Sequence, residues 1–290
     1  METLNTMFGE YAKQVAMRSK ASTHITEDNV YQEGSNEILP FLDKMAEALI
    51  LPGSGLDGFE NLEELFSKAQ EGKSCLLLLE HYSNMDLTLF SYLVRKAGGR
   101  GEDIEKAVIA IAGMKLNEHN PVVAAFASAY TRIVIYPSRS LQGLDAEKDK
   151  AEIIRSNAIN RTAAKALNDL KHKGRLILLF PSGTRYRPGD PSTKRGVREV
   201  DSYIKSFDYM CFVALNGEVL HVGSGDMMDD SVSQDIIRIS VGPVQNCHEF
   251  REAVNADESE DKKQAVADAI MSELEKMHCE GEERRKRLFA

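Results

Sequence analysis

The chain of 290 residues contains no tryptophan and only four cysteines. Cys75, Cys211, Cys247 and Cys279 are far apart in the sequence and form no CxxC pair. Cys75 and Cys211 lie in apolar segments, where a free cysteine behaves as a small buried hydrophobe. This spacing excludes a CxxC redox motif, argues against a disulfide framework, and indicates reduced thiols in a cytosol-like compartment.

Long apolar segments are also missing, since none approaches the roughly 20 residues that a helix needs to cross a bilayer. The N-terminus lacks the cationic start and apolar core of a signal peptide, so we expect a cytoplasmic protein. The net charge of −9 argues against nucleic-acid binding, which depends on a basic surface. The basic run at residues 284–287 is typical of a solvated helix end, with transient contact to an anionic membrane surface as the alternative.

What is present is an alternation of apolar strand-like runs with helical patterns, which predicts an α/β fold. We expect a mixed, mostly parallel central sheet flanked by helices, with a small N-terminal helical region. The Gly/Pro-rich segment at residues 51–59 predicts a boundary between residues 1–52, the helical region, and residues 53–290, the α/β domain. The predicted strands are Cys75–Leu79, Ala107–Ile111, Arg132–Tyr136, Arg175–Phe180, Tyr209–Leu215 and Asp235–Val241.

His81 and Asp86 follow the first of these buried strands, in the sequence "HYSNMD". In one continuous helix the two side chains would point ~140° apart, so they can meet only if His81 precedes the helix and Asp86 lies in its first turn. One interpretation is structural, because Ser83 and Asp86 have the spacing of a capping box. The other is functional: Asp86 holds one imidazole nitrogen as N–H and leaves the other as a general base. Since no nucleophilic side chain lies beside them in the sequence, the second interpretation predicts that a substrate hydroxyl attacks.

The segment "FPSGTRYRP" follows another buried strand and carries Arg185 and Arg187. Ser182, Gly183 and Thr184 are small, so their backbone N–H groups can converge on an anion at the carboxyl end of the strand. Two arginines can hold a phosphate with charge-assisted hydrogen bonds, and the alternative is that both are solvated loop cations. Arg139 follows a third strand in the same way.

Together the two segments resemble the glycerolipid acyltransferases, whose signature is H-x4-D followed by a block similar to PEGTR. Within that superfamily the sequence is most similar to the soluble, plastid-type glycerol-3-phosphate acyltransferases, which also have Ser in the second block and two arginines before a proline. The resemblance covers residues 60–245. It implies that His81 is the catalytic base, Asp86 its partner, and Arg185, Arg187 and Arg139 the phosphate-binding residues, with Lys115 as a further basic candidate.

The sequence also departs from that family in three places. Ala129 stands where a Gly is common before the third strand. Ser138 and Ser140 flank Arg139 where further basic side chains are expected. Glu80 precedes His81 where many members have Asn, which adds a negative charge beside the base.

The resemblance implies acyl transfer from acyl-CoA or acyl-acyl carrier protein to the 1-hydroxyl of glycerol 3-phosphate, the first step of phospholipid synthesis, with no cofactor. The nearest alternative is a lysophosphatidate acyltransferase, which uses the same groups on a lipid acceptor. A non-catalytic lipid or acyl-carrier-protein binding protein is a second alternative. Metal-dependent hydrolysis at Glu80, His81 and Asp86 is disfavoured, because no second histidine cluster completes a metal site.

Overall fold

The computed structural model describes residues 2–22, 24–114, 121–141, 144–223, 227–255 and 259–289. Its strands are β1 (Glu2–Thr3), β2 (Tyr31–Gln32), β3 (Gly55–Asp57), β4 (Cys75–Leu79), β5 (Val108–Gly113), β6 (Arg132–Ile135), β7 (Leu176–Leu179), β8 (Tyr209–Asn216), β9 (Leu220–His221), β10 (Ser231–Val232), β11 (Arg238–Val241) and β12 (Gln245–Asn246). Its α-helices are α1 (Leu4–Arg18), α2 (Leu39–Leu49), α3 (Phe59–Gln70), α4 (Asp86–Lys96), α5 (Gly101–Ala107), α6 (Pro121–Ala127), α7 (Ser138–Leu141), α8 (Lys150–Leu170), α9 (Val200–Ser206), α10 (Cys247–Asn255) and α11 (Lys262–Lys286). Short 3₁₀ helices cover Glu27–Asn29, Pro191–Lys194 and Met227–Asp229.

The described residues form a nine-stranded central sheet in the order β2-β6-β5-β7-β4-β8-β11-β3, with β12 added beside β8. The five strands from β6 to β8 run parallel to one another, whereas β2 and β11 are antiparallel to their neighbours β6 and β8. A small antiparallel sheet joins β1, β10 and β9. The predicted α/β class with a mixed, mostly parallel sheet is therefore confirmed.

The central strands are buried on both faces, which explains why they appear in the sequence as continuous apolar runs. Cys75 and Leu77 of β4 face one hydrophobic core, and Leu76 and Leu78 face the other. Helices α1 to α6 contribute to the first core, and α8 to α11 contribute to the second. Cys75 and Cys211 are buried free thiols, in accord with their prediction as small hydrophobes, and the Cys247 thiol is buried as well.

The helix bounds differ from the sequence pattern most strongly at the two ends of the chain. The N-terminal region contains α1 and α2, and it also contributes β2 to the central sheet, where Tyr31 pairs with Ile133. The last helix, which the apolar pattern predicts over residues 258–276, continues to Lys286, with Val266, Ile270 and Leu274 buried as expected. The boundary after residue 52 stays a prediction.

No helix in the described ranges is both long enough and apolar enough to cross a membrane.

Candidate active site

One edge of the central sheet collects the segments on which the predicted site residues lie. Because β4, β5, β6 and β7 are mutually parallel, their carboxyl ends meet at the same edge. His81 follows β4, the loop with Arg185 and Arg187 follows β7, and Arg139 follows β6. Lys115 follows β5 in the sequence but lies outside the described residues.

His81 and Asp86 meet at this edge. The His81 Nδ1 atom is 2.9 Å from the Asp86 Oδ2 atom, with 17% of the histidine side chain and 2% of the aspartate side chain exposed. Asp86 is the first residue of α4 and His81 precedes the helix, which is the only arrangement that allows contact. A carboxylate only accepts hydrogen bonds, so Nδ1 carries a proton and the Nε2 atom of the neutral ring is the acceptor.

The Asp86 carboxylate also organises the turn between β4 and α4. It accepts the backbone N–H of Tyr82 at 2.6 Å and that of Ser83 at 2.9 and 3.0 Å, and the Ser83 hydroxyl donates to it at 2.9 Å. The Ser83 hydroxyl oxygen in turn accepts the Met85 N–H at 3.1 Å. The structural and functional interpretations of the motif are therefore compatible, because one carboxylate both holds the turn and contacts the imidazole.

The imidazole of His81 is held from its flat side as well. Its ring stacks on Phe180, with the centroids 4.0 Å apart and an interplanar angle of 22°. Its Nε2 atom forms no hydrogen bond with any described residue. The ring is thus fixed in orientation while its basic nitrogen is left for a ligand.

The arginine loop, defined here as residues 181–187, is attached directly to the turn between β4 and α4, residues 80–86, which is called the histidine turn below. The Tyr186 N–H donates to the His81 carbonyl oxygen at 2.8 Å. The rings of Tyr82 and Tyr186 also meet edge to face, with centroids 6.2 Å apart. The backbone that carries Arg185 and Arg187 therefore lies beside the backbone that carries the base.

The small residues of the arginine loop form a tight turn. Gly183 has a φ of +65°, a conformation that favours glycine, and its N–H donates to the Phe180 carbonyl oxygen at 2.9 Å. The buried Ser182 donates its hydroxyl proton to the Thr184 carbonyl oxygen at 2.7 Å. The Gly183 N–H and the Ser182 hydroxyl are therefore occupied within the turn and shape the loop, so neither is a free donor for an oxyanion.

Arg185 is a half-buried cation without a partner among the described residues, since its guanidinium forms no hydrogen bond or ion pair with them. Burial lowers the pKa of Arg185 below its usual value, while the nearby carboxylates of Asp230 and Asp86 raise it and Arg187 lowers it. An arginine stays charged at neutral pH despite such a shift. The site therefore combines a base with a positive charge that has no hydrogen bond or ion pair among the described residues and lies within electrostatic reach of Asp230 and Asp86.

The other two arginines are more peripheral. Arg187 is exposed, and its side chain makes no hydrogen bond with the described residues. Arg139 lies on the short helix α7, is exposed, and donates from Nη2 to the Arg195 carbonyl oxygen at 3.5 Å. Both stand at the rim of the edge that Arg185 occupies more deeply.

Glu80 directly precedes His81 in the sequence, but its side chain forms hydrogen bonds with other residues. Its buried carboxylate accepts hydrogen bonds from the Tyr82 hydroxyl at 2.8 Å, the Leu215 N–H at 2.9 Å and His278 Nδ1 at 3.0 Å. Among the hydrogen bonds of the described residues, none joins Glu80 to His81 or Asp86. Glu80, His81 and Asp86 therefore do not converge as a metal-binding triad.

Sequence reasoning missed several residues of this site, namely Tyr82, Phe180, Tyr186, Asp230 and His278. Phe180 and Tyr186 lie within or beside the recognised motif, and only the folded backbone shows that they contact the histidine turn. His278 is 196 positions from Tyr82 in the chain, and no local pattern links the two. Chemically, the site can remove a proton from a bound group with His81 and hold an anion with Arg185, and no described serine or cysteine is hydrogen-bonded to His81 as a nucleophile.

Comparison with known families gives one match. Residues 58–212 match the model of a family described as Acyltransferase, and this span is just over half of the chain. It includes the histidine turn, the arginine loop and Arg139, whereas α11 lies outside it. No curated protein matches the chain.

Proposed function

The chain belongs to the acyltransferase family, and on this premise we propose that it is a glycerol-3-phosphate 1-O-acyltransferase. In this proposal the acyl group comes from acyl-CoA or acyl-acyl carrier protein, and no cofactor takes part. The observation that carries the proposal is the hydrogen bond from the Tyr186 N–H to the His81 carbonyl oxygen. It holds the loop that carries Arg185 beside the backbone that carries His81. A small phosphorylated alcohol has the two groups that such a site recognises, an anion and a hydroxyl proton.

The reaction follows from the roles of these side chains. His81 Nε2 takes the proton of the acceptor hydroxyl, whose oxygen forms a bond to the thioester carbonyl carbon. The tetrahedral intermediate then collapses, the carbon–sulfur bond breaks, and His81 returns the proton to the departing thiolate. Asp86 keeps the proton on Nδ1 and stabilises the imidazolium that forms, as the aspartate of a Ser-His-Asp triad does.

Arg185 would bind the phosphate, with Arg187 and Arg139 at the rim. Its burial strengthens a charge-assisted hydrogen bond to an anion, and its lack of a protein partner leaves its donors free. Positioning of this kind contributes ~7–11 kcal/mol in well-aligned systems, and a general base adds about 10²–10⁴ in rate. The proposal therefore assigns the larger effect to alignment of acceptor and donor.

The competing acceptor is 1-acylglycerol 3-phosphate, which presents the same phosphate and a free hydroxyl. The test is a radiolabel assay with the purified chain that offers both acceptors in parallel, each with acyl-CoA and with acyl-acyl carrier protein. We expect acylation of glycerol 3-phosphate that is lost in His81→Ala. Product formed only from the acylated acceptor would instead identify a lysophosphatidate acyltransferase, and no transfer with any pair would favour a non-catalytic binding protein. We also propose that the protein works in the cytoplasm. Because the product is a lipid, we propose that it works at times against a membrane surface.

A further inference from the structure

Helix α11 reaches the histidine turn from the far end of the chain. Its residue His278 has Nδ1 3.0 Å from the Glu80 Oε2 atom and 3.2 Å from the Tyr82 hydroxyl oxygen. The Glu80 side chain is 3% exposed and that of His278 is 25% exposed. Since a carboxylate cannot donate, His278 donates to Glu80, and Tyr82 donates to the other carboxylate oxygen.

Glu80 needs this partner because a buried carboxylate without compensation is strongly destabilising. Its three described donors are the Leu215 N–H, the Tyr82 hydroxyl and His278. Only the imidazole among them can supply a positive charge. His278, on the separate helix α11, thus compensates the negative charge of Glu80, the residue that directly precedes His81.

Tyr82 links the Glu80–His278 pair to the site through two contacts. Its backbone N–H donates to Asp86 Oδ2, the same oxygen that contacts His81. Its ring meets Tyr186, the residue between the two loop arginines, and lies 5.4 Å from the His278 ring, centroid to centroid. A shift of the Tyr82 side chain would therefore disturb both the base and the arginine loop.

The same helix is fixed against the segment that follows the arginine loop. Two acidic side chains on α11 and that of its N-cap residue, spaced seven residues apart, pair with three basic side chains of residues 194–198. The pairs are Lys194 with Glu275, Arg195 with Asp268 at 3.7 Å, and Arg198 with Asp261 at 3.4 Å. His278 is thus presented from a helix that is already anchored beside the site.

We propose that His278 is a positioning residue of the active site, which acts through Glu80 and Tyr82 to fix the histidine turn. This inference rests on the proposed acyl transfer, and it extends the site beyond the part of the chain that matches the family. His278 touches neither substrate nor His81 in this account.

The protonation of His278 makes the proposal sensitive to pH. Burial lowers the pKa of His278, but the hydrogen bond and charge of Glu80 and the charge of Glu275 raise it, against the opposing charge of Lys194, and the net pKa lies above 6.5. Tyr82 is the remaining titratable group in contact, and burial, followed by the charge of Glu80, raises its pKa so that it stays neutral. The ion pair is therefore present while His278 is protonated, and it is lost as the pH rises through the raised pKa of His278.

The first experiment compares steady-state acylation by the parent, His278→Ala and His278→Asn as a function of pH, with the exposed His248→Ala as the matched control. We expect His278→Ala to lower kcat by about 10- to 100-fold, the cost of a small misplacement of reacting groups. His278→Asn should restore only part of the loss, because its amide still donates to Glu80 but carries no charge, and its kcat should lack the fall at alkaline pH that we expect of the parent. Parental kcat and an unchanged alkaline profile in both His278 variants would overturn the proposal.

The second experiment does not depend on activity. NMR titration of labelled histidines should give a His278 midpoint above 6.5 in the parent and a lower midpoint in Glu80→Gln, because burial then acts without the carboxylate. A His278 midpoint that Glu80→Gln leaves unchanged would overturn the proposal even if acyl transfer is found. The expected titration in a chain that acylates no acceptor would instead reject the proposed function and leave the network intact. Should His278→Ala fail to fold, the double variant Glu80→Gln/His278→Ala removes the Glu80 charge that the single variant leaves unpaired. We expect the double variant to fold and to lack the alkaline fall in kcat.

Discussion

The histidine turn and the arginine loop lie side by side but differ in how many hydrogen bonds their charged side chains form. In the histidine turn, the Asp86 carboxylate accepts from His81, from two backbone N–H groups and from the Ser83 hydroxyl. In the arginine loop, the backbone is equally ordered, yet the guanidinium of Arg185 has no hydrogen-bond partner among the described residues. The charged side chain of the first region is thus fully hydrogen-bonded within the protein, whereas the Arg185 guanidinium of the second has no hydrogen bond to a described residue.

This difference separates residues that stabilise the fold from residues that cost stability. A buried donor or acceptor that loses its partner costs about 1–3 kcal/mol, so loss of an acceptor oxygen of Asp86 in the histidine turn should lower the free energy of unfolding. A half-buried charge without a partner has already lost hydration, so its removal should not destabilise the protein. Functional sites commonly retain such unfavourable groups because a ligand compensates them. The contrast is the reason why Arg185 is the residue that we propose to bind the anion of the acceptor.

The largest effect is expected for His81→Ala. Loss of the general base should lower kcat by about 10²–10⁴-fold, while the thermal midpoint changes little because Asp86 keeps its other donors. Initial rates and thermal unfolding of the same preparations check this, with His248→Ala as the control. Turnover at the parental rate would show that the imidazole does not act as the base.

Asp86→Asn should affect both activity and stability. An asparagine amide nitrogen cannot accept from His81, Tyr82 or Ser83, so the turn loses acceptors that its buried donors require. We expect a loss of about 1–3 kcal/mol in the free energy of unfolding together with a large fall in kcat. Urea unfolding of this variant beside Asp169→Asn, an exposed aspartate on α8, measures the effect. Equal stability of the two variants would contradict the role assigned to the carboxylate.

Arg185→Ala should give the opposite pattern. The KM for glycerol 3-phosphate should rise by about 10- to 100-fold, since a hydrogen bond to a charged group contributes ~1.5–3 kcal/mol. The free energy of unfolding should stay the same or increase, because an unpaired, half-buried charge is removed. The control is Arg161→Ala on the exposed side of α8. A destabilised Arg185→Ala protein with an unchanged KM would mean that Arg185 is a structural residue.

Arg139→Ala should have the smallest effect. The side chain is exposed and its contact with the Arg195 carbonyl is long, at 3.5 Å. Exposed charges contribute about 0.2–1 kcal/mol, which corresponds to a rise in KM of less than about fivefold. This rise should shrink as salt is added, because salt screens exposed charges. A rise as large as that of Arg185→Ala, measured under the same conditions, would show that Arg139 closes over the phosphate when the acceptor binds.

The sequence predicts the parts of this site that depend on strand ends. The buried strand Cys75–Leu79 has the predicted bounds, and the requirement that His81 precede the helix is met. These features are local, because apolar periodicity and chain geometry decide them.

Long-range pairings could not be predicted in the same way. The contact between His278 and Glu80 depends on how α11 crosses the edge of the sheet, which no single segment encodes. From the sequence alone we expect the charge of Glu80 to lie beside the base. In the structure, the Glu80 carboxylate is instead hydrogen-bonded by Tyr82, Leu215 and His278. A resemblance to known motifs locates His81 and the arginines but says nothing of the residues that support them.

The most direct test of the central claim compares two acceptors that differ only in the phosphate. The ratio of kcat/KM for glycerol 3-phosphate to that for glycerol should be large in the parent and in Arg161→Ala, and it should collapse in Arg185→Ala. That result would follow if Arg185 holds the phosphate while His81 takes the proton. The same ratio in all three proteins would contradict the account.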